Sequence, residues 1–510
     1  MKELGARRWW AVAALVLASM AVGFDVTILS LALPAMAEDL GANNAELQWF
    51  VTSYTLVFAA GMIPAGMLGD RFGRKKVLLV ALVIFGISSL ACAYATSSGV
   101  FIGARAVLGL GGALIMPTIL ALLPVMFDDE ERPKAIGAVA GAAMLAYPLG
   151  PILGGYLLNH FWWGSVFLIN VPVVIVAYLA VSAWLPESKA KEAKPFDLGG
   201  LLLSSLGLTA LTYGVIRGGD AGWTDATTLA SMVAGLVALV AFVMWEKRTL
   251  DPLVDLSLFK SARFNSGTML GTVINFTMFG VLFTMPQYYQ AILGTDAMGS
   301  GFRLLPMVGG LLVGVTVANK VAKALGPKTS VGIGFALLGA ALFYGGTTDV
   351  GSGTGLAAAW TAAYGLGLGL VLPTVMDAAL GALSDDSAGV GAAVNQSIRT
   401  VGGSFGAAIL GSILNSNYRG DLDLGGVPAA AQEAAKDSVF GGLAVARSIS
   451  SSSFADSVRN SFVSALDIVL VVSGFLGLLG VLIAVVWLPR EVGQSTAKAP
   501  ESEHDAADAA

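Results

Sequence analysis

Fourteen apolar runs of about 20 residues alternate with polar breaks along the chain, centred near residues 21, 57, 86, 111, 146, 175, 208, 236, 274, 311, 338, 365, 402 and 475. Each can cross the hydrocarbon core of a bilayer as a helix, and none shows the two-residue alternation of a membrane barrel. The first run extends from Trp9 to Pro34. The preceding "MKELGARRWW" and the small residues Ala35–Ala37 imitate a signal peptide, but the length of the run reads as a first span that is kept. One stretch, from about Ser416 to Ser461, is too polar to span. In it Pro428 opens "AAAQEAAKDSVFGGLAVARSI", which reads as an amphipathic helix broken at Gly441–Gly442. A helical hairpin lying over the external mouth is expected there. Residues 491–510 read as a disordered, solvated tail.

Composition narrows the class. Of 510 residues, 56% are hydrophobic and 12% charged, where soluble domains carry roughly a quarter charged. The mean hydropathy is +0.77. The pattern is that of an all-α polytopic membrane protein. One cysteine (Cys92) and two histidines (His160, His504) make neither an intramolecular disulfide nor a His/Cys metal site. No GxxxxGK[ST] loop and no nucleophile–base pair occurs, so neither ATP hydrolysis nor an enzyme is indicated. No cofactor, metal or nucleic-acid partner is expected.

The distribution of charge orients the spans. With both termini in the cytoplasm, 21 of the 29 Lys and Arg residues fall in cytoplasmic segments and five in external loops. Arg105, Arg303 and Arg399 lie within spans or at their ends. The positive-inside rule therefore favours cytoplasmic termini.

The two halves of the chain echo each other. "GGALIMPTIL" (Gly111–Leu120) resembles "GLGLVLPTVM" (Gly367–Met376) at an offset of 256, and Gly41 and Gly73 meet Gly294 and Gly326 at an offset of 253. Parallel repeats about the membrane normal are a transporter design with the substrate site between the halves. The expected organisation is a six-helix bundle (1–188), two additional spans with flanking linkers (189–262), a second six-helix bundle with the hairpin (263–490), and the tail. The charged positions do not repeat: Met278 falls opposite Asp25, Ala121 opposite Asp377 and Thr361 opposite Arg105.

The loop after span 2 reads "GMLGDRFGRKKVL". This string resembles the GxLaDrxGrkxxl signature of the major facilitator superfamily, matched at Gly66, Leu68, Asp70, Arg71, Gly73, Arg74, Lys75 and Leu78. "GFDVTILSLALP" resembles the first-span motif of the fourteen-span drug:proton antiporters in that superfamily, and "ARAVLGLGGALIMP" their fourth-span motif. "YPLGPILGG" resembles the fifth-span antiporter motif, with Gly150 and Gly154 as a small-xxx-small face and Pro151 able to bend the helix. The stretch "LPTVMDAALGAL" and the sequence after it resemble spans 12 and 13 of the same branch, quaternary-ammonium exporters included. The chain departs from the family at Gly164 and Ser165, and it has no acid near Thr52, where some multidrug relatives carry one.

Asp25 has no basic residue three or four positions away, and Asp377 is as isolated along its own helix. An acid within a span is by default a proton or cation site. The resemblance implies proton coupling at Asp25, with Arg105 setting its protonation, and a conformational role for Gly66, Asp70, Arg71, Gly73, Arg74, Gly150, Pro151 and Gly154. Asp377 is read as meeting the substrate's charge, and Asp467 as structural. The aromatic faces of spans 2 and 9 suit either packing or a wide apolar cavity. Tyr54, Phe58, Tyr147, Asn275, Phe279 and Gln287 are the candidate substrate contacts. The expected protein has the major facilitator fold and sits in a prokaryotic cytoplasmic membrane. It works as a monomer, exchanging lipophilic cationic drugs or antiseptics for protons. Export of a single antibiotic or metabolite, or proton-coupled nutrient uptake, are the alternatives.

Overall fold

The computed structural model describes residues 7–489 except 43, 129, 190–196, 250–251, 255 and 384–387. The expected tail at 491–510 and much of the linker after residue 189 lie outside the described residues. Within them the regular structure is helical, without strands. The first half runs α1 (Arg7–Leu40), α2 (Asn44–Phe72), α3 (Arg74–Ala93), α4 (Ser98–Met126), α5 (Arg132–His160) and a broken sixth span, α6 (Ser165–Leu168) with α7 (Asn170–Trp184). Two helices intervene, α8 (Leu198–Ala221) and α9 (Ala226–Glu246). The second half opens with α10 (Ala262–Gln287), then α11 (Ala297–Arg303) with α12 (Leu305–Leu325), α13 (Pro327–Gly345), α14 (Thr354–Leu380) and α15 (Ala388–Asp421). It closes with the short α16 (Ala429–Asp437) and α17 (Val439–Ser448), then α18 (Ser452–Trp487).

Among the described residues thirteen helical stretches are long and apolar enough to cross a membrane. The expected fifth span, α5, falls outside that set despite its 29 residues. It is no less apolar than α1 or α2, which belong to the set.

The repeat is visible in backbone and packing. Gly41 (φ 60°) and Gly294 (φ 65°), like Gly73 (φ 105°) and Gly326 (φ 85°), occupy the positive-φ region, where a side chain would be strained. The glycines that matched at an offset of 253 are thus the turns that close equivalent helices. The helix pairs α1–α5, α2–α4, α3–α4, α3–α7 and α1–α7 have their counterparts in α10–α15, α12–α14, α13–α14, α13–α18 and α10–α18. Buried apolar side chains gather mainly into two clusters, one of residues 11–185 joined by Met376, Leu380 and Ala392 of the second half, and one spanning 270–488. The halves meet along two related seams, α2–α15 and α5–α12. The additional helix α8 lies on the first, where Ser205 donates to the Ala60 carbonyl of α2 (3.0 Å) and Ser412 of α15 accepts from the Trp223 indole beyond α8 (3.0 Å).

The hairpin between α15 and α18 is shorter than expected, because both long helices run into the polar stretch. Its break falls at Ser438, not at Gly441–Gly442: the Ser438 hydroxyl accepts from the Gly441 N–H and caps α17. Gly442 lies inside α17, where its missing Cβ admits the Tyr418 hydroxyl. α16 packs on α15, and α17 packs on α18.

Candidate functional site

Between the halves lies a cavity of about 300 Å³, at the lower end of the range for small-molecule sites. Its first-half wall depends on the close approach of α2 and α4. A Cβ on Gly112 would stand 2.8 Å from the Tyr54 hydroxyl and 3.1 Å from the Phe58 ring, so glycine leaves room for two stacked aromatic rings. Across the cavity stand Asn275, Met278 and Phe279 of α10, Met376 of α14, and Gln396, Arg399, Thr400 and Ser404 of α15. Tyr54, Phe58, Asn275 and Phe279 are therefore brought together as the sequence suggested. Gln287 is not: its amide donates to the Phe283 carbonyl of its own helix (3.0 Å). The Tyr147 and Pro151 side chains lie outside the described residues.

Behind the wall, Asp25 and Arg105 form an ion pair. Arg105 Nη1 lies 2.5 Å from Asp25 Oδ2, with side chains 2% and 0% exposed. Arg105 Nε also donates to the Phe50 carbonyl (2.9 Å), and the guanidinium lies 4.5 Å from the centroid of the Tyr54 ring, within cation–π range. Asp25 Oδ1 has no partner among the described residues. The isolation read from the sequence is overturned. The counter-ion comes from another helix, 80 residues along the chain. Arg105 lines the cavity and Asp25 does not.

Asp377 departs from its expected place. It sits three residues before the end of α14, outside the cavity lining, and pairs with Arg132 of α5 (3.2 Å) and Arg263 of α10 (3.7 Å). The acid read as isolated is held by two guanidinium groups and ties α14 to the opposite half. At the same end Asp70 binds Arg74 (2.7 Å) and accepts from the Val390 N–H in the first turn of α15 (3.0 Å). The start of a helix is a favourable place for a carboxylate. Arg74 also donates to Ser188 (3.1 Å). Gly73 must be glycine on two counts, its φ and the Glu187 carboxylate against it. Gly66 and Gly150 are buried, Arg71 lies over Phe72, and Gly154 lets Ile28 and Leu31 of α1 pack close.

Two six-helix halves, their paired seams and a central cavity are the architecture of one transporter family, and residues 15–407 match the Major Facilitator Superfamily. This chain belongs to that superfamily. It is 36% identical to the tetracenomycin C resistance and export protein of Streptomyces glaucescens, over 82% of this chain and 78% of that one. It is 31% identical to the multidrug efflux pump LfrA of Mycolicibacterium smegmatis, over 92% and 94%. In fold it is similar to the proton:xylose symporter XylE, with a TM-score of 0.62 at 15% identity, covering 96% of this chain and 98% of that one. As a major facilitator it is a multi-pass membrane transporter of small molecules, not an enzyme.

Sequence reasoning missed the contribution of α15 to this major facilitator's cavity. Gln396, Arg399, Thr400 and Ser404 recur at helical spacing, a polar stripe on α15 that could have been found from periodicity. The expectation of cationic substrates rested on acids in the core. No carboxylate lines the cavity among the described residues, because Asp25 lies behind the wall and Asp377 at the end of its helix.

Proposed function

We propose that this protein exports small lipophilic compounds across a prokaryotic cytoplasmic membrane in exchange for protons, one half rocking against the other. The observation that carries the reading is the position of Arg105, which faces the cavity and holds the buried Asp25 carboxylate. Loading a proton on Asp25 removes the charge that neutralises Arg105, and the cavity wall feels the change. Proton and substrate are thereby linked through one guanidinium. The contacts of Asp70 and Asp377 fasten the halves at one end, which the distribution of Lys and Arg assigns to the cytoplasm.

Fourteen spans follow if α5 crosses the membrane, and its packing along α1 and the α12 seam supports that. One chain encloses a whole cavity, so the monomer suffices. The direction rests on the resemblance of "YPLGPILGG" to the antiporter motif and on relatives named for export and efflux. Kinship to a tetracenomycin C exporter keeps a dedicated metabolite exporter as the second reading.

Reconstituted vesicles that are acidic inside test the coupling, using fluorescent aromatic compounds in cationic, neutral and acidic forms. Exchange predicts substrate accumulation as protons leave, collapsing when a protonophore is added. Movement of substrate only in the direction of proton flow would overturn it.

A further inference from the structure

Arg399 is a buried cation without a counter-ion among the described residues. It is 9% exposed, and no carboxylate pairs with it among the described residues. Its partners are neutral: Nη2 donates to Asn275 Oδ1 (3.1 Å), Nη1 lies 2.6 Å from Met376 Sδ, and Nε has no partner. The site is built for it. Gly271 of α10 leaves room for the stem, since a Cβ there would stand 2.9 Å from Nε, and the Asn275 amide donates back to the Arg399 carbonyl (3.2 Å). An arginine stays charged in a protein, and an uncompensated buried charge is costly. The group faces a cavity whose other guanidinium, Arg105, is already neutralised by Asp25. Among the described residues the cavity lining therefore carries one net positive charge, within walls of Tyr54, Phe58, Phe279 and methionine side chains.

We propose that Arg399 is an anion-recognising subsite, and that the preferred substrates are lipophilic aromatic compounds bearing one acidic oxygen, a carboxylate or an ionised phenol. This rests on the export reading and gives it a substrate class. The aromatic walls take the ring system, and the guanidinium takes the oxygen anion through a charge-assisted bond. A cationic compound meets the same walls but finds like charge at their polar end. Gln396 and Thr400, beside Arg399 on the face of α15, offer further donors.

Three probes of one scaffold test this: anthracene-9-carboxylate, its neutral carboxamide and the 9-anthracenylmethyl trimethylammonium ion. Equilibrium binding to the full chain is measured in phosphatidylcholine nanodiscs, so that no anionic headgroup competes. The carboxylate is expected to bind at least about tenfold tighter than the carboxamide, the scale of a hydrogen bond between charged groups, and tighter still than the cation. Arg399→Gln removes that preference, and Arg399→Lys, which keeps the charge but not the planar fork, retains part of it. Equal or tighter binding of the cation by the unaltered protein, or a tenfold acid preference surviving in Arg399→Gln, overturns the assignment. If Arg399→Gln does not fold, the three probes on the unaltered chain and on Arg399→Lys decide. Binding needs no gradient, so an acid preference without proton-driven transport would refute the exchange reading alone. Transport of the cation without acid preference would refute this inference alone.

Discussion

The pairing of Asp25 with Arg105 predicts an asymmetric loss when either partner is removed. Breaking a buried ion pair from one side costs about 3–5 kcal/mol, because the remaining charge is stranded. The two strandings differ here. In Asp25→Asn, Arg105 keeps the Phe50 carbonyl and the Tyr54 ring. The first is worth about 1.5–3 kcal/mol to a charged donor, and the second about 2 kcal/mol when desolvated. In Arg105→Met, Asp25 has lost its one partner among the described residues. At neutral pH, Arg105→Met is therefore the more damaging, near the upper end of that range, and Asp25→Asn lies near the lower end. Acidification lets the stranded carboxylate shed its charge by taking a proton, whereas a stranded guanidinium has no such escape. Lower pH should rescue Arg105→Met and leave Asp25→Asn unmoved.

The chain supplies its own reporter. Cys92 is the single cysteine and is fully buried, so a thiol-reactive dye reads unfolding as one event. Melting curves of the two variants and of Asp25→Asn/Arg105→Met, taken from neutral to acid pH, complete a double-mutant cycle. The double variant should melt above Arg105→Met at neutral pH, with a coupling of about 2 kcal/mol. Additivity within about 0.5 kcal/mol, or an Arg105→Met variant indifferent to acid, would refute the reasoning.

Two further outcomes are expected. Glu130 and Lys323 stand 3.7 Å apart across the α5–α12 seam. Spin labels there should show a longer, broader distance distribution in Asp377→Asn, which loses the charge that holds Arg132 and Arg263; an unchanged distribution would count against a fastening role. Asp225 caps α9 and lies 2.9 Å from Arg217, whose hydrogen bond holds its carboxyl below the usual range. A depressed carboxyl contributes stability above its unfolded value, near about 3.9, and loses it as pH falls through the folded value. The protection of the Thr228 amide against hydrogen exchange, taken relative to its intrinsic rate at each pH, should fall on acidification, and at a higher pH in Arg217→Gln.

What the sequence made legible follows from the range of each signal. Span length is a local property, and the expected helices appear, the fifth among them as the 29 residues of α5. The glycines at 41, 73, 294 and 326 were legible as a repeat because a positive φ admits few other residues. The hairpin break was misjudged because two glycines outweighed a serine, although Ser438 with Gly441 is a capping pattern. Neighbours three and four positions away show only a helix's own surface. They could not reveal that Asp25 meets Arg105 from α4, or that Asp377 meets Arg132 and Arg263. Both acids were noticed for the right reason, their cost in an apolar run, and both lacked the long-range partner that explains them.

That cost, followed to its end, rearranges the roles. Each buried charge has to be neutralised, and where neutralisation is complete the group is a fastener or a store for a proton. Asp25 is complete with Arg105, and Asp377 lies between two arginines. Among the described residues Arg399 alone of the cavity's charged groups is left with an amide oxygen and a sulfur. An acid count over the whole core favours a cationic substrate, but a count restricted to the atoms facing the cavity reverses the sign. Only those atoms touch what is carried. The anion subsite proposed at Arg399 thus puts the recognition chemistry in the residue the acid-counting argument passed over.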